Sequence, residues 1–286
     1  MTNMTLAHPQ AGPAQRPPRS FWDKLRALPA GLLGAIGTLV FLLIWELIPR
    51  SGLVPARYLP PASAVLAEFF TLLGTATLWQ AIGGETLLGW AIGLAIASVA
   101  AIILGMLIGS SGFLRRFTAS TIEFLRPIPS VALIPLAVLV FGVKLESKLL
   151  LVVYASFWPV LVQVLYGGVA DVDPVAANTA RSYGLTSYIA RLRHVVWPTT
   201  LPYLVTGLRL SASVALVLAV TAELLIGMPG LGGHEIARAQ SGGAYSGMYA
   251  LVLTTGLLGV LINAGFRFIQ KRWLSWHSSI RSEADR

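Results

Sequence analysis

An all-α, polytopic membrane fold with six transmembrane helices is the class this sequence predicts, on three observations. Charged residues make up 12% of the 286 and hydrophobic residues 55%, whereas a soluble domain carries about 25% charge. Mean hydropathy is +0.72. Six apolar runs lie at about 30–48, 83–109, 121–142, 149–169, 201–226 and 247–266. Each is near or above the ~20 residues that a helix needs to cross ~30 Å of hydrocarbon. The runs are continuous and do not alternate at period two, so they read as helices and not as strands of a closed barrel.

Residues 1–28 are polar and proline-rich, with Arg16, Arg19, Lys24 and Arg26. They read as a basic cytoplasmic tail. The apolar run that follows is of spanning length, longer than the ~7–15 residues of a signal-peptide core. It leads into Glu46, Pro49 and Arg50 with no small-residue cleavage pattern, so it is expected to stay as the first span. The stretch from Leu59 to Phe70 is too short to span. Two prolines precede it and Ser63 suits an N-cap, so a short helix in the outer interface is expected.

The second span carries Gly89/Gly93 and Gly105/Gly109 at GxxxG spacing, which allows another helix to approach closely. The third carries Pro127, Pro129 and Pro135, which break the hydrogen-bond ladder and are tolerated where a helix lines a cavity. Span three is therefore the candidate pore helix, with span five opposite; a kink needed only for packing would use the same prolines. Glu123 and Arg126 stand i,i+3 and can pair on one face. In span five Arg209 can face a translocation path and attract an anion. Glu223, fourteen residues on, is ~21 Å further along the helix; it lies near the outer end, within reach of the Gly230–Gly233 loop or of a second copy of the chain. Arg126, Pro127, Pro129, Pro135, Arg209 and Glu223 are the candidates for a path through the membrane. Trp45, Trp79, Trp90, Trp158, Trp273 and Trp276 fall near expected helix ends, as an aromatic belt would.

The loop after span four has two helix-like pieces around a glycine. Asp173 can cap the first, with Pro174 at its opening position; Gly184 can stop it; Thr186 or Ser187 can cap a second, ended by Pro198 and Pro202. Such a helix–turn–helix is a knob for a soluble partner, though an ordinary connecting loop has the same spacing. With the N-terminus inside, fourteen Lys and Arg fall on inner segments. They are Arg16, Arg19, Lys24, Arg26, Arg115, Arg116, Arg181, Arg191, Arg193, Arg267, Lys271, Arg272, Arg281 and Arg286. Five fall outside: Arg50, Arg57, Lys144, Lys148 and Arg238. That bias puts both termini in the cytoplasm. The domain reading is thus a tail at 1–28, a membrane domain at 29–266 with the polar loop at about 171–198, and a cytoplasmic tail at 267–286.

Catalysis is poorly supported. The chain has no cysteine, which excludes disulfides and thiolate chemistry. The four histidines, His8, His194, His234 and His277, lie in expected tails or loops. There is no G-x-x-x-x-G-K-[ST], so no ATP is bound through a P-loop, and the glycines at 230–233 follow no strand. The net charge of +9 fits the inner-face bias rather than nucleic acid. A stand-alone secondary transporter or channel remains the rival to a subunit with a soluble partner.

The loop resembles the coupling loop of ABC importer permeases, with the pattern E-A-A-x3-G-x9-I-x-L-P. Asn178-Thr179-Ala180 stands where E-A-A would be, Gly184 to Pro198 is one residue longer than the pattern, and Trp197 replaces the leucine. Three further stretches resemble the nitrate/sulfonate/taurine branch. These are Arg126-Pro127-Ile128-Pro129-Ser130 running to Phe141-Gly142, Ala222-Glu223-Leu224 with Gly230-Leu231-Gly232, and Leu257-Leu258-Gly259 with Trp276-His277. The resemblance covers about residues 55–277. It implies a type I ABC importer-like permease of the cell inner membrane, one half of a homodimeric pore for a sulfonate-, taurine- or nitrate-like solute. Two ATP-binding subunits would dock on the loop at Ala177, Asn178, Thr179, Ala180, Arg181, Tyr183, Gly184, Leu185 and Pro198. ATP and Mg would sit on those subunits, with no cofactor held by this chain. A periplasmic or lipid-anchored binding protein would deliver the solute.

Overall fold

The computed structural model describes residues 29–170 and 172–273, all helix, turn or coil. The basic tail at 1–28 and the end of the chain from 274, Trp276 and His277 included, lie outside the described residues. Two units are distinguished, 1–62 and 63–286.

In the first unit, α1 (Ala30–Arg50) is apolar on all sides and leaves Leu39, Phe41, Leu43 and Leu47 exposed. Such a helix requires lipid or protein around it. Arg50 pairs with Glu46 one turn back at 2.6 Å, and Trp45 Nε1 donates to Pro60 O at 3.1 Å.

In the second unit, α2 (Ala62–Leu73) is a short apolar helix. It begins one residue before Ser63, which therefore stands in its first turn and is not the cap. Then come α3 (Ala76–Ser110), α4 (Gly112–Leu125) and, after a tight turn at Ser130–Leu133, α5 (Ile134–Phe141). Next are α6 (Leu145–Val169), α7 (Pro174–Ser182) and α8 (Ile189–Ile226). A wide turn, Leu231–Ile236, opens into α9 (Ala237–Ser241), and α10 (Tyr245–Trp273) closes the described chain.

Among the described residues five helices are long and apolar enough to cross a membrane, and six if α4 and α5 count as one broken span. That is the correction to span three. It is not a continuous helix, because the chain bends by 81° between α4 and α5. Pro127 and Pro129 supply no N–H to carry the helical ladder on. Pro135, by contrast, sits in the first turn of α5, where its missing N–H costs nothing.

α6 is the hub. Along α3, Gly89, Gly93, Ala97, Ala101, Gly105 and Gly109 recur every four residues, and all six are buried. A Cβ on Gly93, Gly105 or Gly109 would strike Val152, Val164 or Val169 of α6. α8 meets α6 through glycine as well: Gly167 lies against Tyr203, Gly168 against Thr200, and Gly207 against Val160 and Gln163. Lipid tails are as apolar as leucine, so helices in a membrane gain by fitting closely rather than by escaping water.

Two further expectations are corrected. The second helix of the polar loop does not end at Pro198 or Pro202; it continues as α8 to Ile226. A wide turn at Leu192–Val196 immediately precedes Pro198. The Thr199, Thr200 and Thr206 hydroxyls donate to Val195, Val196 and Pro202 carbonyls. Local π-type adjustment and hydroxyl donors are the means by which a membrane helix absorbs proline. Neither Trp90 nor Trp158 is a belt residue. α3 starts seven residues before the expected span, so Trp90 lies deep in it and donates to Ala212 O at 2.8 Å, and Trp158 is buried in the middle of α6.

Candidate functional site

Three places carry the polar chemistry of the described residues. The first is α7. Asp173 Oδ1 accepts from Val175 N at 2.8 Å, and Pro174 opens the helix. The helix closes in a Schellman motif, with Leu185 N donating to Ala180 O and Gly184 N to Arg181 O, both at 3.0 Å. Gly184 has φ +83°, a conformation that costs other residues ~1–2 kcal/mol. Ala180 is buried, while Ala177 and Leu185 are half-buried; this side carries the turn. Asn178, Thr179 and Arg181 point outward, and with them Tyr183, Val175 and Ile189, which are 84%, 69% and 75% exposed. Ser187 Oγ then accepts from Ala190 N and starts the helical chain that becomes α8. Pro198 is exposed near the base of that helix. Three large apolar side chains are thus bare around the capped helix: Val175 on it, Tyr183 at its C-cap and Ile189 at the start of α8.

The second place surrounds Glu223, near the end of α8. Its side chain is 0% exposed. Lys148, in the first turn of α6 and 1% exposed, reaches Glu223 Oε1 at 3.0 Å and donates also to Glu85 O at 3.0 Å. Glu223 Oε2 accepts from Thr86 Oγ1 at 2.9 Å and from Gly232 N at 3.1 Å. Thr86 Oγ1 in turn accepts from Leu231 N at 3.1 Å. Glycine makes room: a Cβ on Gly230 would fall on the Glu223 carboxylate, and one on Gly89 on the Lys148 side chain. Four segments are tied by one satisfied network, in which both charges are paired and hydrogen-bonded as burial demands. The Gly230–Gly233 loop is thus the partner of Glu223, and Lys148 is a buried anchor rather than a residue of an outer loop. Glu223 lies inside the protomer, its oxygens taken. Sequence reasoning missed Lys148 and Thr86. The available signal was a lysine and a glutamate at the same end of two different spans.

The third place is a cavity of about 390 Å³ at the break between α4 and α5, walled by α6 and α8. Arg126 lines it from the break, Ser130 from the turn beyond, and Tyr154, Trp158 and Gln163 from α6. Tyr154 Oη donates to Leu125 O at 2.6 Å and so pins the end of α4 to α6. Arg126 and Glu123 do not pair; among the described residues neither forms an ion pair. Pro127 and Pro129 are exposed in the break itself. Arg209 lines a different cavity, about 610 Å³, with Ser213, Asn263, Arg267 and Lys271, and Arg209 Nη1 donates to Gln270 Oε1 at 3.4 Å. The structure thus separates the two candidate arginines into two cavities and withdraws Glu223 from both. Among the described residues no cluster of His, Asp and Glu is disposed to hold a metal.

The family of binding-protein-dependent transport system inner membrane components matches this chain over residues 97–275, a stretch that includes α7, the cavity and the Lys148–Glu223 pair. The taurine transport system permease protein of Escherichia coli (strain K12) is 33% identical over 256 residues, covering 86% of this chain and 90% of the relative. The nitrate import permease protein of Leptolyngbya laminosa is 27% identical over 267 residues, covering 91% and 94%.

Proposed function

The chain belongs to the family of binding-protein-dependent transport system inner membrane components, and on that premise we propose that it is the permease half of an ATP-driven importer for a small anionic solute. It is a transport subunit of the inner membrane, not an enzyme. Two copies form the path, and each receives one ATP-hydrolysing subunit on α7. ATP and Mg are held by those subunits, and a periplasmic or lipid-anchored binding protein delivers solute to the opposite face. Both termini are cytoplasmic.

The observation that carries this reading is the 173–189 segment: α7 is capped at both ends, Val175 on it, Tyr183 at its C-cap and Ile189 at the start of α8 are exposed, and α8 runs on from there into the core of the second unit. Closing of the paired ATPases draws the two copies of α7 together, and α8 passes the displacement to the spans as a rigid lever. Asn178 at the position of the pattern's glutamate removes a carboxylate from the contact, so shape and apolar cover carry the docking. Relatives named for taurine and nitrate favour a compact anion as the cargo.

The test is purification from native membranes in mild detergent, wild type beside Gly184→Pro. Proline cannot adopt φ +83°, so the motif that closes α7 is lost. Retention of an ATPase by the wild type, lost in the variant, is the expected result. A wild-type chain that carries no ATPase and conducts solute without ATP would replace the importer subunit by a secondary transporter or channel.

A further inference from the structure

We propose that the cavity at the α4–α5 break is a solute site of the permease itself, built to hold a compact oxyanion against Arg126. The inference rests on the importer reading above and adds to it which residues touch the cargo.

Depth is the first argument. α6 runs over 25 residues, Leu145–Val169, and the residues it gives to the cavity, Tyr154 to Gln163, occupy its middle. From α8 the cavity takes Leu210 and Val214, again well inside the apolar stretch. The cavity therefore lies near the centre of the membrane. Irregular backbone survives at that depth only where protein buries it or water reaches it. Pro127, Pro129 and Ser130 are in or next to the bend and are exposed or half-buried, so this chain leaves the break uncovered on its cavity side.

Charge is the second. An arginine at mid-membrane depth is costly unless it meets a counter-charge or a wet cavity. Elsewhere in the chain the cost is met by pairing, as at Lys148 and Glu223. Arg126 has no such partner among the described residues, and the Gln163 amide facing the same space makes no side-chain hydrogen bond there either. Guanidinium and amide N–H groups, with the Ser130 hydroxyl, are donors without acceptors. What they lack is a small group with several acceptor oxygens and negative charge, which is what a sulfonate or nitrate offers and what the arginine fork matches. Tyr154 and Trp158 supply an apolar wall for a short organic tail, and about 390 Å³ is at the small end of the range of ligand sites. Trp158 keeps its Nε1–H buried and unpaired in that wall.

The experiment uses the intact complex of permease, ATPase and binding protein, with radiolabelled taurine, ethanesulfonate and nitrate as probes. Equilibrium binding is measured on the permease–ATPase complex without the binding protein, and uptake in proteoliposomes with it. Arg126→Gln is expected to weaken binding of the best probe about tenfold or more, Arg126→Lys by less, because charge is kept and the fork lost. Gln163→Leu is expected to weaken it about threefold to tenfold. Arg238→Gln, an exposed cation on α9, should bind as the wild type does. Co-purification of the ATPase reports assembly in every case, so the lysine and Gln163 variants carry the test if Arg126→Gln does not fold. Binding by Arg126→Gln within twofold of wild type overturns the proposal, as does a wild-type complex that binds none of the three probes. Failure of the wild type to retain an ATPase is a different outcome: it removes the importer reading, whereas anion binding that depends on Arg126 would still stand.

Discussion

Two stretches of irregular backbone interrupt the helices of this permease, and they are held in opposite ways. At 227–236 the chain leaves α8 through Gly227, at φ +78°, and turns back under Gly230, at φ +133°. There its N–H groups are taken up by buried side chains: Gly232 N by Glu223, Leu231 N by Thr86. At 126–133 the chain bends by 81° beside a cavity, and the one side-chain hydrogen bond to its start comes from Tyr154. In the first stretch the buried charges, Glu223 and Lys148, are paired. In the second, Arg126 is not. A membrane tolerates broken backbone under either condition, but only the second leaves a charge available to something that passes. The difference separates a fastening from a site by one criterion: whether the ionised group already has its counter-ion.

The sharpest way to break the comparison is to unpair the sealed network. Glu223→Ala leaves Lys148 buried without a counter-charge, a loss of about 3–5 kcal/mol. Thermal unfolding of the detergent-solubilised protein should show it as a large fall in midpoint. The double variant Lys148→Met/Glu223→Leu should recover much of that fall, because removing both charges removes the uncompensated one. If the double variant is as unstable as the single, the ion pair is not what Glu223 contributes.

A second test addresses the glycine. Gly230→Ala puts a methyl group onto the Glu223 carboxylate in a backbone conformation L-residues rarely hold, for about 2–4 kcal/mol in strain and displaced packing. Gly256 on α10 has no atom within 4 Å of a new Cβ, and Gly256→Ala should leave the unfolding midpoint unchanged or raise it slightly. Equal effects at the two sites would show that the close approach at Gly230 does not matter.

How much of this was legible follows from the range over which each signal acts. The caps of α7 were readable, because Asp173, Pro174 and Gly184 act within one turn of where they stand. The prolines at 127 and 129 signalled a broken ladder in the third span for the same reason, but not its parting into two helices bent by 81°. Close packing was announced by Gly89 and Gly93, although not the Gly-Gly-Ala-Ala-Gly-Gly stripe whose partner is α6. What could not be read was tertiary. Lys148 and Glu223 are 75 residues apart, and nothing local records that α6 and α8 bring them to 3.0 Å. Likewise Pro198 carries a local stop signal that a wide turn and two threonine hydroxyls cancel. Of the cavity residues, Tyr154 and Gln163 read as ordinary members of an apolar run and Trp158 as part of an aromatic belt; only the break between α4 and α5 brings them to one space.

Within the open region, Tyr154→Phe removes the hydroxyl that pins α4 to α6. Leu125 O keeps a second donor, Ile128 N at 3.2 Å, so the stability cost should be about 1 kcal/mol, the net worth of one hydrogen bond. The same change loosens the wall next to Arg126. Tyr154→Phe should therefore reduce uptake by more than its small shift in unfolding midpoint accounts for. An unaltered uptake would place the hydroxyl in the fold alone.

The smallest expected effect sharpens the comparison most. Arg126→Gln should change the unfolding midpoint by no more than about 0.5 kcal/mol equivalent, the usual range for a residue with no buried partner. Lys148→Gln, also a loss of one cation from a span, should lower it by about 3–5 kcal/mol because Glu223 is left alone. Measured side by side in the same detergent, the pair compares one chemical change in two environments. If Arg126→Gln proves as destabilising as Lys148→Gln, then Arg126 is neutralised by the protein and is part of the fold's fastening. If it is silent in stability, its cost in the membrane is met by water and passing ions, and a residue kept at mid-membrane depth without stabilising the fold is kept for what crosses it.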